Sequence, residues 1–351
     1  MQRRHPVVLA TVEGAHVKAM VLAAGLGTRL LPLTKDTAKP AVPFANRPLI
    51  HHCLEWLCKN DVDHVVINLH HRPESVIAAV REHLWPVEID FSHEPQILGT
   101  AGGVKKAEKH FTDGTFIMVN SDSLYEVDLT GPVAHHKEKG AVATMVLREA
   151  SAKDPYGRVI VDEGGRVKEI RGRETLGEET EGYIFTGIHV FEPEVFHYIP
   201  PGRFYEINQM VYPRLIREGR VVQGFVSDDF WAEVGNHKAY LQAHRDVLRR
   251  RRNSLVRESP VPSETKVSSP VLIGRECHVG RGARIGPMAV VGHRCTIGRG
   301  TVIEGSVLWD DATVGAGSRV SGSIVGHQTS IAPGTHLERM VACREDRRSI
   351  E

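Results

Sequence analysis

The residues best suited to chemistry lie in one stretch, Met20 to Pro43, MVLAAGLGTRLLPLTKDTAKPAVP. A short apolar run, Met20-Val21-Leu22-Ala23-Ala24, has the length and composition of a buried strand. Gly25 and Gly27 follow it and free the backbone to turn tightly and to offer its N–H groups to a ligand. Such a nest of N–H groups attracts anions. Arg29 adds a forked, permanent cation. Ten residues further on, Lys39 supplies a second cation on the extended backbone that precedes Pro40. A strand, a glycine turn and two spaced cations suggest a site for a polyphosphate. The pattern is neither a dinucleotide fingerprint, since Leu30 stands where the third glycine belongs, nor a Walker loop, since Gly-Lys-Ser/Thr is missing.

Other stretches carry groups that could complete such a site. Ser92-His93-Glu94 precedes Leu98-Gly99-Thr100-Ala101-Gly102, where glycines permit close backbone approach and a following helix would point its N-terminus at a ligand. Asp122 follows the apolar strand Thr115 to Asn120, a common position for a metal ligand and also for a turn residue. His70 and His71 invite a metal reading. Adjacent side chains on extended backbone point opposite ways, however, and no third ligand lies near them in sequence, so they read as loop histidines.

The string Leu22-Ala23-Ala24-Gly25-x-Gly27-Thr28-Arg29-Leu30, then Pro32-Leu33-Thr34, then Lys39-Pro40 resembles the signature of the sugar-1-phosphate nucleotidylyltransferases. Ser92-His93-Glu94 and Leu98 to Gly102 resemble the mannose-1-phosphate guanylyltransferase subgroup. The resemblance implies transfer of a nucleotidyl group from a nucleoside triphosphate to a sugar 1-phosphate, with Mg²⁺ as cofactor. It implies that Leu22, Ala23, Ala24, Gly25, Gly27 and Thr28 hold the nucleotide, with Arg29 and Lys39 as the catalytic cations. It places the nucleobase on Glu94, Gly99 and Thr100, and the metal on Asp122 and on Glu233 of Trp231-Ala232-Glu233-Val234-Gly235, where relatives carry aspartate. Ser121 replaces their usual glycine. The sugar would meet Gly157 of Asp154-Pro155-Tyr156-Gly157, and Thr186 and Gly187 of EGYIFTGIHVF. Where many relatives have Glu-Lys-Pro, this chain has Arg171-Gly172-Arg173, so Arg171 or Arg173 would take the sugar phosphate, a role guanidinium fills bidentately but with different geometry from lysine. The departures at Glu233 and Arg171 to Arg173 keep a second reading open, a non-catalytic regulatory relative that binds nucleotide-sugar.

The elements that must position these groups follow from periodicity. Apolar residues at helical spacing mark Pro48 to Asn60 and Glu74 to Leu84, and apolar runs mark strands at Val62 to Leu69, Val87 to Phe91, Thr115 to Asn120 and Ala141 to Leu147. Strand–helix alternation argues for a doubly wound α/β sheet, in which ligands bind beyond the carboxyl ends of strands. The resemblance implies its Rossmann-like, mixed, nucleotide-diphospho-sugar transferase form, over residues 18–252. Residues 253–270, rich in Ser and Pro, read as a linker.

From Val271 the period becomes six. Ile273, Val279, Ile285, Val291, Ile297 and Ile303 are six apart, and Leu308, Val314, Val320, Val325, Ile331 and Leu337 continue with two five-residue steps. This is the hexapeptide repeat of a left-handed parallel β-helix, expected over 271–340 in a little under four coils. Cys277 and Cys295 should stack on adjacent coils. His278, His293 and His327 leave acyl transfer on the helix as a further reading, making the enzyme bifunctional; structural or oligomerising use, with a homo-oligomer as the result, is the reading favoured here.

The 351 residues carry a net charge of +1, with 41% hydrophobic and 25% charged residues, which speaks against nucleic acid or a membrane surface as partner. Arg249 to Arg252 reads as a solvated helix end. Five irregularly spaced cysteines make no disulfide framework, which suits a reducing cytoplasm. Residues 1–17 are expected to be a disordered extension.

Overall fold

The computed structural model describes residues 17–151, 154–172, 181–250, 255–344 and 346–350. Its α/β part is organised on strand β1 (Val17–Leu22), whose Ala19, Met20 and Val21 are fully buried. Parallel to β1 on one side runs β2 (Val62–Leu69), with the edge strand β3 (Glu88–His93) beyond it. On its other side lies β4 (Phe116–Asn120), also parallel. A short strand β5 (Ser123–Tyr125) leaves the sheet just after β4. The sheet continues through β6 (Ala143–Glu149), the hairpin β7 (Arg158–Val161) and β8 (Val167–Arg171), and the long β9 (Tyr183–Phe191), which runs antiparallel to β4, β6 and β7. Strand β10 (Val222–Val226) pairs parallel with β6. The spatial order is β8-β7-β9-β4-β1-β2-β3, with β6 and β10 branching from β9. The sheet is therefore mixed, as expected.

Helices cover both faces. Ile50, Cys53, Leu54 and Leu57 of α1 (Leu49–Lys59) and Val76, Ala79 and Val80 of α2 (Pro73–Arg81) pack with Ala19, Val21, Val65, Ile67, Ile117 and Val119. Ala101 and Val104 of α3 (Gly99–Lys106) cover Met20, Val66 and Met118 on the opposite face. That alternation is why the strands read as nearly continuous apolar runs: a strand buried on both faces has no polar side. Helix α4 (Thr130–Glu138) packs beside β6 and β10, and α5 (Tyr212–Arg217) adds Tyr212 and Leu215 to the α3 face. Strand β11 (Trp231–Glu233) pairs with β5 as a separate ribbon, and α6 (His237–Arg250) leads to the second part.

The second part is a parallel β-helix of three sheets. Ile303 stacks on Val320, Ile297 on Val314 and Val325 on Ala342. The inward aliphatics form one cluster, in which Ile273, Ile285, Ile297, Ile303 and Val320 are almost wholly buried. The ladder begins earlier than residue 271. Leu255–Arg257 pairs with Val271–Ile273, and Lys266–Val267 pairs with Arg284–Ile285, so the segment read as a linker belongs to the ladder. Val261 and Val267 continue the six-residue step backwards from Ile273 and pack against the helix core, but Pro260, Pro262 and Pro270 give the segment a linker's composition. The expected count of under four coils is accordingly too small. At the far end Met340–Cys343 and Asp346–Ser349 form an antiparallel hairpin.

The two parts share an apolar cluster. Leu272, Val290, Val307, Ile324 and Val341, each just before an inward-facing residue, turn outward toward Leu30, Leu33, Val42 and Phe44 and toward Tyr240 and Leu241 of α6. Trp309 Nε1 donates to the Tyr240 hydroxyl at 2.9 Å, and that hydroxyl donates to the Pro43 carbonyl. Asn46 Nδ2 donates to the Val291 carbonyl at 2.8 Å. The signature stretch is thus held from behind by the β-helix.

Candidate active site

The register Asn68–Leu22–Asn120 puts the carboxyl ends of β2, β1 and β4 side by side. Beyond them opens a crevice of about 420 Å³. Its wall contains the whole run Leu22 to Arg29, with Lys39, Pro40, Asn68, Ile97, Gly99, Thr100, Asn120, Ser121, Asp122, Glu206 and Gly235. The crevice lies where the strand order reverses about β1, the usual ligand position in an open α/β sheet.

The glycine turn is shaped by its neighbours. Gly27 has φ +66°, and a Cβ there would stand 3.3 Å from both Lys39 Cβ and Thr34 Cγ2. The Thr34 hydroxyl, fully buried, donates to the Gly27 carbonyl at 2.9 Å. Asn68 Oδ1 accepts from the Ala23 N–H at 2.7 Å, fixing where β1 gives way to the loop.

Lys39 is 8% exposed, and its Nζ stands 2.6 Å from Asp122 Oδ2. Asp122 Oδ1 is buried and has no hydrogen-bond partner among the described residues. The β5–β11 ribbon brings the second acid to the same place: Glu233 pairs with Ser123, and the Val234 N–H donates to the Asp122 carbonyl at 2.8 Å. Arg29 Nη2 lies 3.4 Å from Glu233 Oε1. Burial and the Glu233 carboxylate, which accepts from its hydroxyl, push Tyr156 above the usual tyrosine range. Two carboxylates with an unsatisfied buried oxygen make a hard, all-oxygen donor set, which suits a divalent cation that draws its remaining ligands from phosphate and water.

On the other wall, Gly99 opens α3 with φ +71°, and the Thr100 hydroxyl donates to Glu206 Oε2 at 2.6 Å while accepting from the Ile207 N–H at 2.8 Å. Glu94 does not reach the crevice. It is 1% exposed, its Oε1 accepts from Asn68 Nδ2 at 2.7 Å, and its Oε2 accepts from the Leu98 N–H at 2.9 Å. A Cβ on Gly103 of α3 would stand 2.6 Å from that same Oε1. The carboxylate expected at the base is instead engaged in orienting Asn68 and closing the loop before α3.

The expected sugar residues lie off the crevice wall. Gly157 packs on β8, where a Cβ would come within 2.3 Å of the Arg171 carbonyl. Arg171 Nε donates to Glu169 Oε2 at 2.9 Å, and Arg173 lies outside the described residues. Thr186 is buried and donates to the Val146 carbonyl at 2.8 Å. Gly187, at φ +89°, approaches Asn120 so closely that a Cβ would stand 2.6 Å from its Nδ2. Asn68, Asn120, Glu206 and Tyr156 escaped the sequence reading. For the two asparagines the available signal was a polar amide at or next to the end of an apolar strand.

An amide nest with two cations and two acids, set at the switch point of a mixed α/β sheet, is the arrangement of a protein that handles nucleotide phosphates. The relatives carry this further. Residues 18–250 match the family model described as nucleotidyl transferase, and residues 252–345 match that of the EIF2B subunit epsilon LbH domain, a left-handed β-helix. The chain belongs to the nucleotidyl transferase family. It is 30% identical to a UTP–glucose-1-phosphate uridylyltransferase of Synechocystis over 84% of this chain and 83% of that one. It is 31% identical to a mannose-1-phosphate guanyltransferase of Aspergillus oryzae over 74% of each chain, and 28% identical to a mannose-1-phosphate guanylyltransferase of Mycobacterium tuberculosis over 84% of this chain and 80% of that one. HddC from Yersinia pseudotuberculosis, in a crystal structure complexed with GMP-PN, shares the fold with a TM-score of 0.56 at 23% identity, over 65% of this chain and 97% of that one. Nucleotidyltransferases of this family generally use a divalent metal. No helix among the described residues is long and apolar enough to cross a membrane.

Proposed function

We propose that the protein joins a nucleoside triphosphate to a hexose 1-phosphate, releasing pyrophosphate and a nucleotide-sugar, with GTP and mannose 1-phosphate as the preferred pair and Mg²⁺ as the metal. The observation that carries this is the contact between Lys39 and Asp122, 2.6 Å apart in the crevice, with the second Asp122 oxygen left unpartnered. A cation and a metal ligand then serve the same phosphate.

The reaction asks little covalent chemistry of the protein. An oxygen of the sugar phosphate forms a bond to the α-phosphorus, the bond from that phosphorus to the bridging oxygen breaks, and pyrophosphate leaves with the electron pair. The nucleophile is already an anion, so no activated Ser or Cys is required. The protein aligns the attack and offsets accumulating charge. In this reading the Gly25 to Thr28 amides and Arg29 grip the β- and γ-phosphates, and Lys39 spans the α-phosphate and the incoming phosphate. Gly99 and Thr100, at the start of α3, face the nucleoside, with Glu206 fixing the Thr100 hydroxyl. Glu94 acts through Asn68. Asp122 and Glu233 would hold the metal, which when bound neutralises phosphate oxygens as a Lewis acid. Gly157 and Gly187 flank the sugar, and Arg171 or Arg173 takes its phosphate.

The test is a grid of nucleoside triphosphates against sugar 1-phosphates, scored by pyrophosphate release from the full chain with Mg²⁺. Turnover should be highest for GTP with mannose 1-phosphate. Uridylyl transfer to glucose 1-phosphate as the fastest reaction would replace the proposed pair. Nucleotide-sugar binding with no pyrophosphate from any pair would identify the non-catalytic regulator instead.

A further inference from the structure

One cluster far from the crevice has no part in nucleotidyl transfer. His64 on β2, Asp90 on β3 and His110, in the turn after α3, converge on one spot. His64 Nε2 is 3.0 Å and His110 Nδ1 is 3.4 Å from the same oxygen, Asp90 Oδ2. All three ligand atoms lie within 4.8 Å of one another, and no other trio of His, Cys, Asp or Glu among the described residues meets so closely. We propose that His64, Asp90 and His110 form a second metal site, for a zinc-class divalent ion, that clips the edge strand β3 to the turn after α3.

The geometry is close to what such an ion needs. Ligand bonds of about 2.1 Å in a tetrahedron set neighbouring ligand atoms about 3.4 Å apart. The His64 and His110 rings meet nearly edge to face, with centroids 5.4 Å apart and planes at 68°, so the two nitrogens reach the carboxylate from different directions. The imidazoles are largely buried, with side chains 14% and 19% exposed, while Asp90 is 46% exposed. The open side gives an ion a way in and leaves room for a water as fourth ligand. Two cations bear on the cluster: Lys109, next to His110 in sequence, and Lys18, beside His64 in register, whose ammonium is held by Asp113 at 2.6 Å.

The ligand chemistry sets this site apart from the crevice. Two imidazoles and one carboxylate suit zinc, nickel or copper, whereas Mg²⁺ prefers oxygen alone. His64 and the crevice residue Asn68 are four residues apart on β2, about 13 Å at the rise of an extended strand. An ion here would fasten the start of β3 to the turn that follows α3, the helix whose first residues, Gly99 and Thr100, line the crevice. Without an ion the trio is only a carboxylate hydrogen-bonded to the His64 imidazole, with the His110 ring beside it. The experiment must separate those two states.

Co²⁺ titrated into the chelator-stripped full chain is expected to give one equivalent of a tetrahedral visible spectrum, displaced by Zn²⁺, and Zn²⁺ is expected to raise the thermal midpoint. His64→Gln with His110→Gln should abolish both signals, with circular dichroism and Mg²⁺-dependent pyrophosphate release reporting that the variant is folded. Asp122→Asn should retain both. Zinc X-ray absorption on the unmodified chain should show imidazole nitrogens at about 2.0 Å, a reading that does not depend on any variant folding. The proposal is overturned by absence of the spectrum at stoichiometric Co²⁺, by its persistence in the double histidine variant, by its loss in Asp122→Asn, or by an all-oxygen zinc shell.

Discussion

The β-helix and the α/β sheet obtain their order from opposite sources. In the β-helix the parallel strands meet the chain 16 to 18 residues away, as Leu255 meets Val271, Val271 meets Ala289 and Ile303 meets Val320. In the crevice the decisive contacts span 45 residues from Ala23 to Asn68, 83 from Lys39 to Asp122 and 204 from Arg29 to Glu233. A ladder built of near neighbours repeats one apolar prism and leaves its ion pairs, such as Arg294 with Asp311, on the outside of the coils. A sheet built of distant strands brings unlike groups to the same strand ends. The comparison teaches where mutations should act: in the β-helix on stability, in the crevice on rate, and at the junction on both parts together.

The largest effect is expected inside the prism. Ile303 is fully buried, and Ile303→Ala should cost about 2–5 kcal/mol in chemical denaturation through the lost methylenes and the cavity they leave. KM for both substrates should hold. A fall in turnover without a fall in stability would break the division between scaffold and site. Next, Lys39→Ala or Asp122→Ala should cut turnover by at least about a hundredfold, about 2.7 kcal/mol of activation free energy, the scale of one lost electrostatic contact in a transition state. Near-normal pyrophosphate release by both variants would remove the crevice from the chemistry. The smallest effect belongs to the junction. Tyr240→Phe leaves Trp309 Nε1 and the Pro43 carbonyl without their shared partner, at a cost of about 1–2 kcal/mol. Its denaturation midpoint should fall, and an unchanged midpoint would show that the β-helix does not brace the signature stretch through this pair.

Much of the molecule was legible before its structure. Met20 to Lys39 carries the strand, the turn and both cations in one contiguous run, so the crevice floor could be placed from local pattern alone. The hexad from Ile273 was equally plain, because an inward aliphatic must recur wherever a coil closes. Glu94 shows what was not legible. A carboxylate beside a glycine loop looks like a base contact in one dimension, and only the pairing of β2 with β3 reveals that Asn68 and the Leu98 N–H occupy its oxygens. The segment 253–270 misled for the converse reason, since its prolines and serines hid Val261 and Val267, which are already in step with the coils above them.

By itself, then, the sequence determined this protein's local conformations: a buried strand ending in a glycine turn, amphipathic helices, and a six-residue aliphatic period that closes a prism. Those follow from backbone freedom and side-chain burial within short windows. Only the tertiary structure decided which charges share a space. The β5–β11 ribbon sets Glu233 beside Asp122, and the β1–β4 register sets Asp122 within reach of Lys39. Such proximity is a property of strand order and register, and electrostatic interactions act on distances in space that the separation along the chain does not encode.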